Sequence, residues 1–510
     1  MVYDRDVWWS DQWTAESFAR DYDFAQPFFK QFRDLLGSVP MPAVFNGESL
    51  NSNYNNHVGW LKNCYLIFAS MENENCAYGN KVQFSKDSFD TLVVSHSELC
   101  YEAVQSVKIY NCAFVNNSRE CNDSMFLENC TGCSHCFGCI NLRNKSYYIF
   151  NQPYSKEEYA KKIQELFDGG FVGILNVRRQ LQQLKERAIY RYANIINSQN
   201  VTGDNLVHVA DSRNCFDCFD NVRGCKFVVN SGAGMNDCYD SYGIGITELC
   251  YEGIDTGLES SRQRFAIVTW GGHTTAYTYA CRSCSDCFAC IGLRNKQYCI
   301  LNKQYTKEEY EALVPRIIQH MNDMPYVDAK GRVYKYGEFF PPELSPFAYN
   351  ETIAQEYFPL TKEEAQKQGY RWRDPDTKQY TVTKKPEDLP DHIKDVDDSI
   401  LKETIGCMHK GECNEQCTTA FRIIPEELAF YRRMNLPLPR LCPNCRHYER
   451  LKQRNPLKLW HRACMCDGKR YPNTASHQHE GQCSNEFETS YAPERPEIIY
   501  CEQCYNAEVA

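Results

Sequence analysis

The sequence predicts a mixed, mainly β fold: a duplicated, β-solenoid-like, cysteine-rich repeat body with helical caps, joined to small C-terminal zinc-ribbon-like knuckles. Three observations predict it. Residues 57 to 159 repeat over 208 to 310 at an offset of 150 or 151. Inside the first copy, Cys64, Cys76, Ser88, Cys100 and Cys112 stand twelve residues apart. Beyond residue 400, two segments share one order of cysteines and end in the pairs LCPNC and YCEQC.

The elements follow in chain order. Residues 1–56 contain DQWTAESFARDYDFAQPFFKQFRDLLG and form a helical or irregular N-terminal cap. Residues 57–152 are cysteine repeat copy A. A strand advances about 3.3 Å per residue, so twelve residues make one or two short strands and a turn, and stacking them aligns the cysteines in a narrow interior beside an aromatic row. Residues 153–200 are a helical insert, opened by the capping box of Ser155 and Glu158 and continued by the helix formers of 176–192.

Residues 201–303 are copy B. SELCYE with Cys100 returns there as TELCYE with Cys250, and CSHCFGCINLRNKSYYIFNQPYSKEEY returns as CSDCFACIGLRNKQYCILNKQYTKEEY. Residues 304–324 are a second helical cap, with Thr306 and Glu309 as its capping box. Residues 325–400 form a connector rich in Pro and acidic residues, expected to lie on the folded parts with a flexible stretch near 375–400. Residues 401–510 hold the two knuckles.

Composition narrows the function. A chain of 510 residues with 43% hydrophobic and 13% aromatic content can bury several cores, which excludes disorder throughout. The opening MVYDRDVWWSDQW is acidic where a secretory leader needs a basic start and an apolar run, and no run of about eighteen apolar residues occurs. A cytoplasmic location without membrane contact is expected. Twenty-nine cysteines then belong to a reducing compartment, as buried small side chains or metal ligands rather than disulfides.

In the first knuckle Cys413 and Cys417 precede Phe421, and Cys442 with Cys445 follow; in the second Cys483 precedes Phe487, and Cys501 with Cys504 follow. Cys466 completes the second set, with Cys464, His477 and His479 as competitors, while Cys407 and His409 are alternatives to Cys413. Four sulfurs, or three and an imidazole, close a tetrahedral zinc shell, so about two zinc ions per chain are expected, serving folding rather than bond cleavage.

The runs Cys130, Cys133, Cys136, Cys139 and Cys281, Cys284, Cys287, Cys290 repeat at spacing three. They read as tightened turns whose cysteines pack as small hydrophobes, with zinc or an iron–sulfur cluster as the alternatives. His57 and His208 match across the repeat and read as hydrogen-bonded structural residues. Residues 421–470 carry twelve Lys or Arg against four Asp or Glu within a chain of net charge −10. Arg440, Arg446, Arg450, Lys452, Arg454, Lys458 and Arg462, with Tyr448 and Trp460, could contact phosphates and stack on bases, or form a solvated helix face, or dock onto the acidic body.

CFGCINLRNKSYYIFNQPYSKEEY, EFFPPELSPFAYNETIAQEYFPLTKEEA, AFRIIPEELAFYRRMNLPLPRLCPNCRHYERLK and NEFETSYAPERPEIIYCEQCY carry a resemblance across nearly the whole chain. The chain resembles the uncharacterised cysteine-rich zinc-ribbon proteins of candidate-phylum bacteria, a family without an assigned activity. The resemblance implies further zinc-ribbon sequence ahead of the VYDRDVWW segment. Asp4 and Val7 stand where Cys501 and Cys504 stand in IIYCEQCY, so the start reads as the tail of a decayed or truncated knuckle.

The sequence carries no phosphate-binding glycine loop, nucleophile elbow, HExxH or deaminase signature. The expected function is a non-enzymatic zinc-binding scaffold or adaptor for a macromolecular partner, protein or nucleic acid. The alternatives are a nucleic-acid-associated factor using residues 440–462 and a metal-dependent redox protein or enzyme using the four-cysteine runs.

Overall fold

A computed structural model of the chain describes residues 1–374, 380–467, 473, 475–477 and 479–509. The fold is mainly β, with ten α-helices among the described residues. Two large sheets carry it. One joins ten strands in chain order from Asn56–Gly59 to Gln152–Pro153, and the other joins eleven from Ile195–Ile196 to Lys303–Gln304. Apart from one antiparallel pair that closes each sheet at its C-terminal end, every ladder in the two sheets is parallel. The register advances by twelve residues, with Cys112 opposite Cys100 and Cys299 opposite Cys287; it advances by thirteen where one residue is inserted, as at Arg213 and Lys226.

A backbone period of three generates this register. From Asn51 to Phe150, every third residue has positive φ. Each twelve-residue step therefore has four sharp bends, where one or two strands and a turn were expected. The left-handed region penalises most side chains and is tolerated best by Gly, Asn, Asp and His, which accounts for Asn63, Asn75, Asn111 and Asn129 directly before Cys64, Cys76, Cys112 and Cys130. Asn51, Asn63, Asn75 and Asp87 occupy one such corner row, each amide donating to the next at 3.3, 3.1 and 2.8 Å.

Residues that follow these bends point inward, as Cys64, Ile67, Ser70, Cys76, Val82, Ser88, Cys100 and Ala103 show, all buried. Cys130, Cys133, Cys136 and Cys139 are four successive inward positions. The cysteine thiols bond to backbone carbonyls: Cys100 Sγ donates to Glu98 at 3.3 Å and Ile109 at 3.6 Å, and Cys130 Sγ to Glu128 at 3.5 Å and Cys139 at 3.6 Å. Ser88, which interrupts the cysteine period, donates likewise to Lys86 at 2.8 Å. Burial pushes the thiols of Cys100 and Cys112 up, Cys112 to about 12.

Helices cover the aromatic rows. Phe28–Ser38 buries Phe28, Phe29 and Phe32 against Phe265, Tyr277 and Phe288, while Phe171–Lys185 buries Ile174, Val177 and Leu181 against Phe126, Phe137 and Ile149. Both capping boxes are formed, Ser155 with Glu158 and Thr306 with Glu309. The helix expected over 176–192 stops at Lys185. The β-prone Ile189–Arg191 instead pairs in parallel with Ile498–Tyr500 of the second knuckle.

The first residues repeat that geometry. Val2–Tyr3 pairs in parallel with Met41–Pro42, and Asp4 caps a short helix, Arg5–Trp9, as Cys501 precedes Glu502–Val509. In the connector, residues 375–379 of the expected flexible stretch lie outside the described residues. Residues 380–400 are pinned by buried Leu389, Ile393, Val396 and Ile400, which pack with the first knuckle and copy A. None of the described helices is long and apolar enough to cross a membrane.

Candidate metal centres

Each knuckle is an antiparallel hairpin followed by a helix that starts at a cysteine. In the first, Ile405–Gly406 pairs with Ala420–Phe421, and Cys442 caps the helix Pro443–Leu451. In the second, Trp460–Ala463 pairs with Glu486–Thr489, and Cys501 precedes the helix Glu502–Val509. The recurring Phe421 and Phe487 lie on the returning strands. Cys445 and Cys504 fall in the first helical turns, where the positive end of the helix dipole favours a thiolate.

The sulfurs of Cys407, Cys417, Cys442 and Cys445 lie within 4.8 Å of one another, as do those of Cys464, Cys483, Cys501 and Cys504. Sulfur separations include 3.8 Å for Cys407 and Cys445, 4.0 Å for Cys417 and Cys442, and 4.0 Å for Cys483 and Cys501. A tetrahedral ion bound at about 2.3 Å by four sulfurs places them roughly 3.8 Å apart, so both sets fit such an ion. One backbone bond recurs in both: the amide of Cys442 donates to Cys407 Sγ at 3.3 Å, and that of Cys501 to Cys464 Sγ at 3.2 Å. A hydrogen bond from Cys407 holds the Cys442 thiol well below its usual range, while burial pushes Cys464 up to about 12.

Six of the eight nominated cysteines, Cys417, Cys442, Cys445, Cys483, Cys501 and Cys504, stand in these sets. Cys413 and Cys466 do not; Cys407 and Cys464 take their places. The physical reason is the hairpin. Cys407 directly follows the outgoing strand, its amide fixed on the Thr419 carbonyl at 2.8 Å, and Cys464 likewise follows its strand, fixed on Asn485 at 2.8 Å. Both therefore face the paired cysteines. Cys413 and Cys466 instead enter two neighbouring groups, His409 with Cys413, Glu415 and Cys445, and Cys466 with His477, His479 and Cys504. The matching sequence signal is Cys-Met-His at 407–409 and Cys-Met-Cys at 464–466. Among the described residues, the groups gathered this tightly are all C-terminal, and the four-cysteine runs are not among them.

The basic stretch turns inward. Arg446 Nη1 donates to Asp90 at 2.6 Å, Tyr431 at 2.9 Å and Glu427 at 3.2 Å, with its guanidinium 4.4 Å from the Tyr78 ring centre. Arg450 donates to the other Asp90 oxygen at 2.6 Å and to the Tyr78 carbonyl at 3.1 Å. Arg454 pairs with Asp217 of copy B, Arg440 with the carbonyls of Leu389 and Pro390, and Lys452 with Glu415 and Glu449. Burial works against the Asp217 carboxylate, yet Arg454 and Lys81 hold it below its usual range. Of the three arrangements open from sequence, the dock onto the acidic body is the one these contacts describe. His57 meets Asp255 of copy B at 3.2 Å, and His208 meets Asp220 at 3.5 Å.

No protein-family model and no curated protein matches the chain. Among solved structures, it is similar to a "putative acetyltransferase" from Desulfovibrio desulfuricans G20, at 13% identity and a TM-score of 0.12, over 46% of this chain and 65% of that one. A likeness this slight bears on neither fold nor function.

Proposed function

We propose that the chain is a non-enzymatic, zinc-binding scaffold in which two β-solenoid stacks, one per repeat copy, are clamped by C-terminal zinc knuckles and present their surface to a macromolecular partner. The carrying observation is that each knuckle gathers four thiols while the helix behind Cys442 fixes Arg446 and Arg450 on copy A and the following loop fixes Arg454 on copy B. Sulfur-only donor sets favour zinc over hard cations, and four protein ligands leave no position for a reacting water. The nucleic-acid reading of residues 440–462 loses support, because its central arginines are engaged inside the molecule.

Limited proteolysis before and after zinc is stripped tests the clamp. The stripped protein should be cut within residues 401–510 while both repeat copies resist. A digestion pattern unchanged by stripping would reject the reading.

A further inference from the structure

Each knuckle brings together more ligands than one tetrahedral ion uses, and does so in the same way twice. Beside the four-thiol set of the first knuckle lie His409, Cys413 and Glu415, grouped with Cys445. Beside that of the second lie Cys466, His477 and His479, grouped with Cys504. The shared residue in both is the last cysteine of the CxxC pair, in the first turn of the helix. The first extra ligand in both stands two residues after the first inner cysteine, His409 after Cys407 and Cys466 after Cys464. The same loop, between that residue and the second inner cysteine, Cys417 or Cys483, supplies the other two.

The atoms are oriented for a cation. Cys413 Sγ lies 3.7 Å from Cys445 Sγ, within a tenth of an ångström of the 3.8 Å between Cys407 and Cys445. His409 Nδ1 and Glu415 Oε2 face one another at 3.0 Å, both buried and neither making a hydrogen bond; Lys452 takes the other oxygen, Oε1. In the second knuckle His477 Nδ1 lies 3.5 Å from Cys466 Sγ, and its other nitrogen bonds Glu508 at 2.7 Å. His479 Nε2 lies 3.3 Å from Cys504 Sγ, and its other nitrogen bonds the Gly481 carbonyl at 2.9 Å. A carboxylate or backbone carbonyl on the far nitrogen is the arrangement that fixes the tautomer of a metal-binding histidine and aims its lone pair at the ion.

Charge points the same way. Five thiolates and a carboxylate in the first knuckle, against one divalent cation, leave four negative charges in one cluster, of which Cys407, Glu415, Cys442 and Cys445 are buried, and a second cation halves that. We infer that each knuckle is a two-metal centre whose ions share a bridging thiolate, Cys445 in the first and Cys504 in the second. The outer ions take His409, Cys413 and Glu415, and Cys466, His477 and His479. This rests on the zinc reading above and extends it from two ions per chain to four.

Elemental mass spectrometry of the full chain, purified without added metal, should count four zinc ions. His409→Ala/Cys413→Ser and His477→Ala/His479→Ala should each lose one ion, and all four substitutions together should lose two. Two ions in the unsubstituted chain, unchanged by these substitutions, would overturn the inference and leave the zinc scaffold standing. No zinc at all would overturn both. Cadmium-113 magnetic resonance of the unsubstituted chain answers independently of how the variants fold. Two pairs of resonances, each pair split by metal–metal coupling through its thiolate, are expected, and uncoupled resonances would reject the bridge.

Discussion

Asp90 receives Arg446 and Arg450 at 2.6 Å each, and all three side chains are almost wholly buried. A buried pair of this kind contributes little over an apolar substitute, but removing one member leaves charge without compensation. Asp90→Ala should therefore cost ~3–5 kcal/mol, read from the urea midpoint, because Arg450 loses its carboxylate and Arg446 is left with Glu427 alone. Glu252 is the opposite case. Burial, with repulsion from Asp240, raises its carboxyl to about 7. A carboxyl raised by folding holds its proton in the native state while the unfolded chain has lost it. Its contribution to stability is thus complete below the ordinary value near 4.3 and is lost as pH rises to about 7. Glu252→Gln should remove that fall from the curve of melting temperature against pH; a curve identical to the parent's would show that Glu252 titrates normally. Sequence gives no sign of either residue's role, since only the fold supplies their neighbours.

At the scale of elements, the three-residue backbone period explains what the sequence shows as a twelve-residue cysteine period. Four inward positions recur in each step, and the sequence marks chiefly the one that cysteine fills; Ser, Ala, Val and Ile at the others hide the shorter period. Corner positions offer a direct test. Asn75, at φ 53°, donates to Asp87 at 2.8 Å. Asn75→Val places a β-branched side chain in the left-handed region and should cost about 1–2 kcal/mol, whereas Asn75→Gly should cost less, by denaturant titration. The helical caps are simpler: Thr306→Ala removes the side-chain acceptor of the Glu309 amide and should cost about 1 kcal/mol. Both capping boxes were legible in sequence because all their determinants lie within four residues.

Across the whole molecule, the two copies exchange partners. The helix that precedes copy A covers the aromatic row of copy B, and the helix that precedes copy B covers that of copy A. At the end of copy A, Arg143 reaches the Tyr505 hydroxyl at 3.1 Å; its counterpart in copy B, Arg294, lies 4.5 Å from the Trp8 ring. The N-terminal strand and helix thus occupy at one junction the place that the second knuckle occupies at the other. Stripping zinc should open the junction held by the knuckle and leave the other closed. Hydrogen exchange should then rise at Ile189–Arg191 and Ile498–Tyr500, which pair there, but not at Val2–Tyr3 and Met41–Pro42. Equal change at both would reject this asymmetry.

The sequence by itself determined the duplication, the twelve-residue step, the helix starts and the two CxxC pairs, because each is a pattern of residue types at short or constant separation. Tertiary structure decided which cysteines close the sets. Cys407 and Cys464 reach the paired cysteines through hairpins whose returning strands lie more than ten residues further on, a closure that spacing does not encode. It also decided the fate of the basic stretch. Arg446, Arg450 and Arg454 have the composition of a phosphate-binding surface, and only the arrival of Asp90 and Asp217, hundreds of residues earlier in the chain, makes them internal ion pairs.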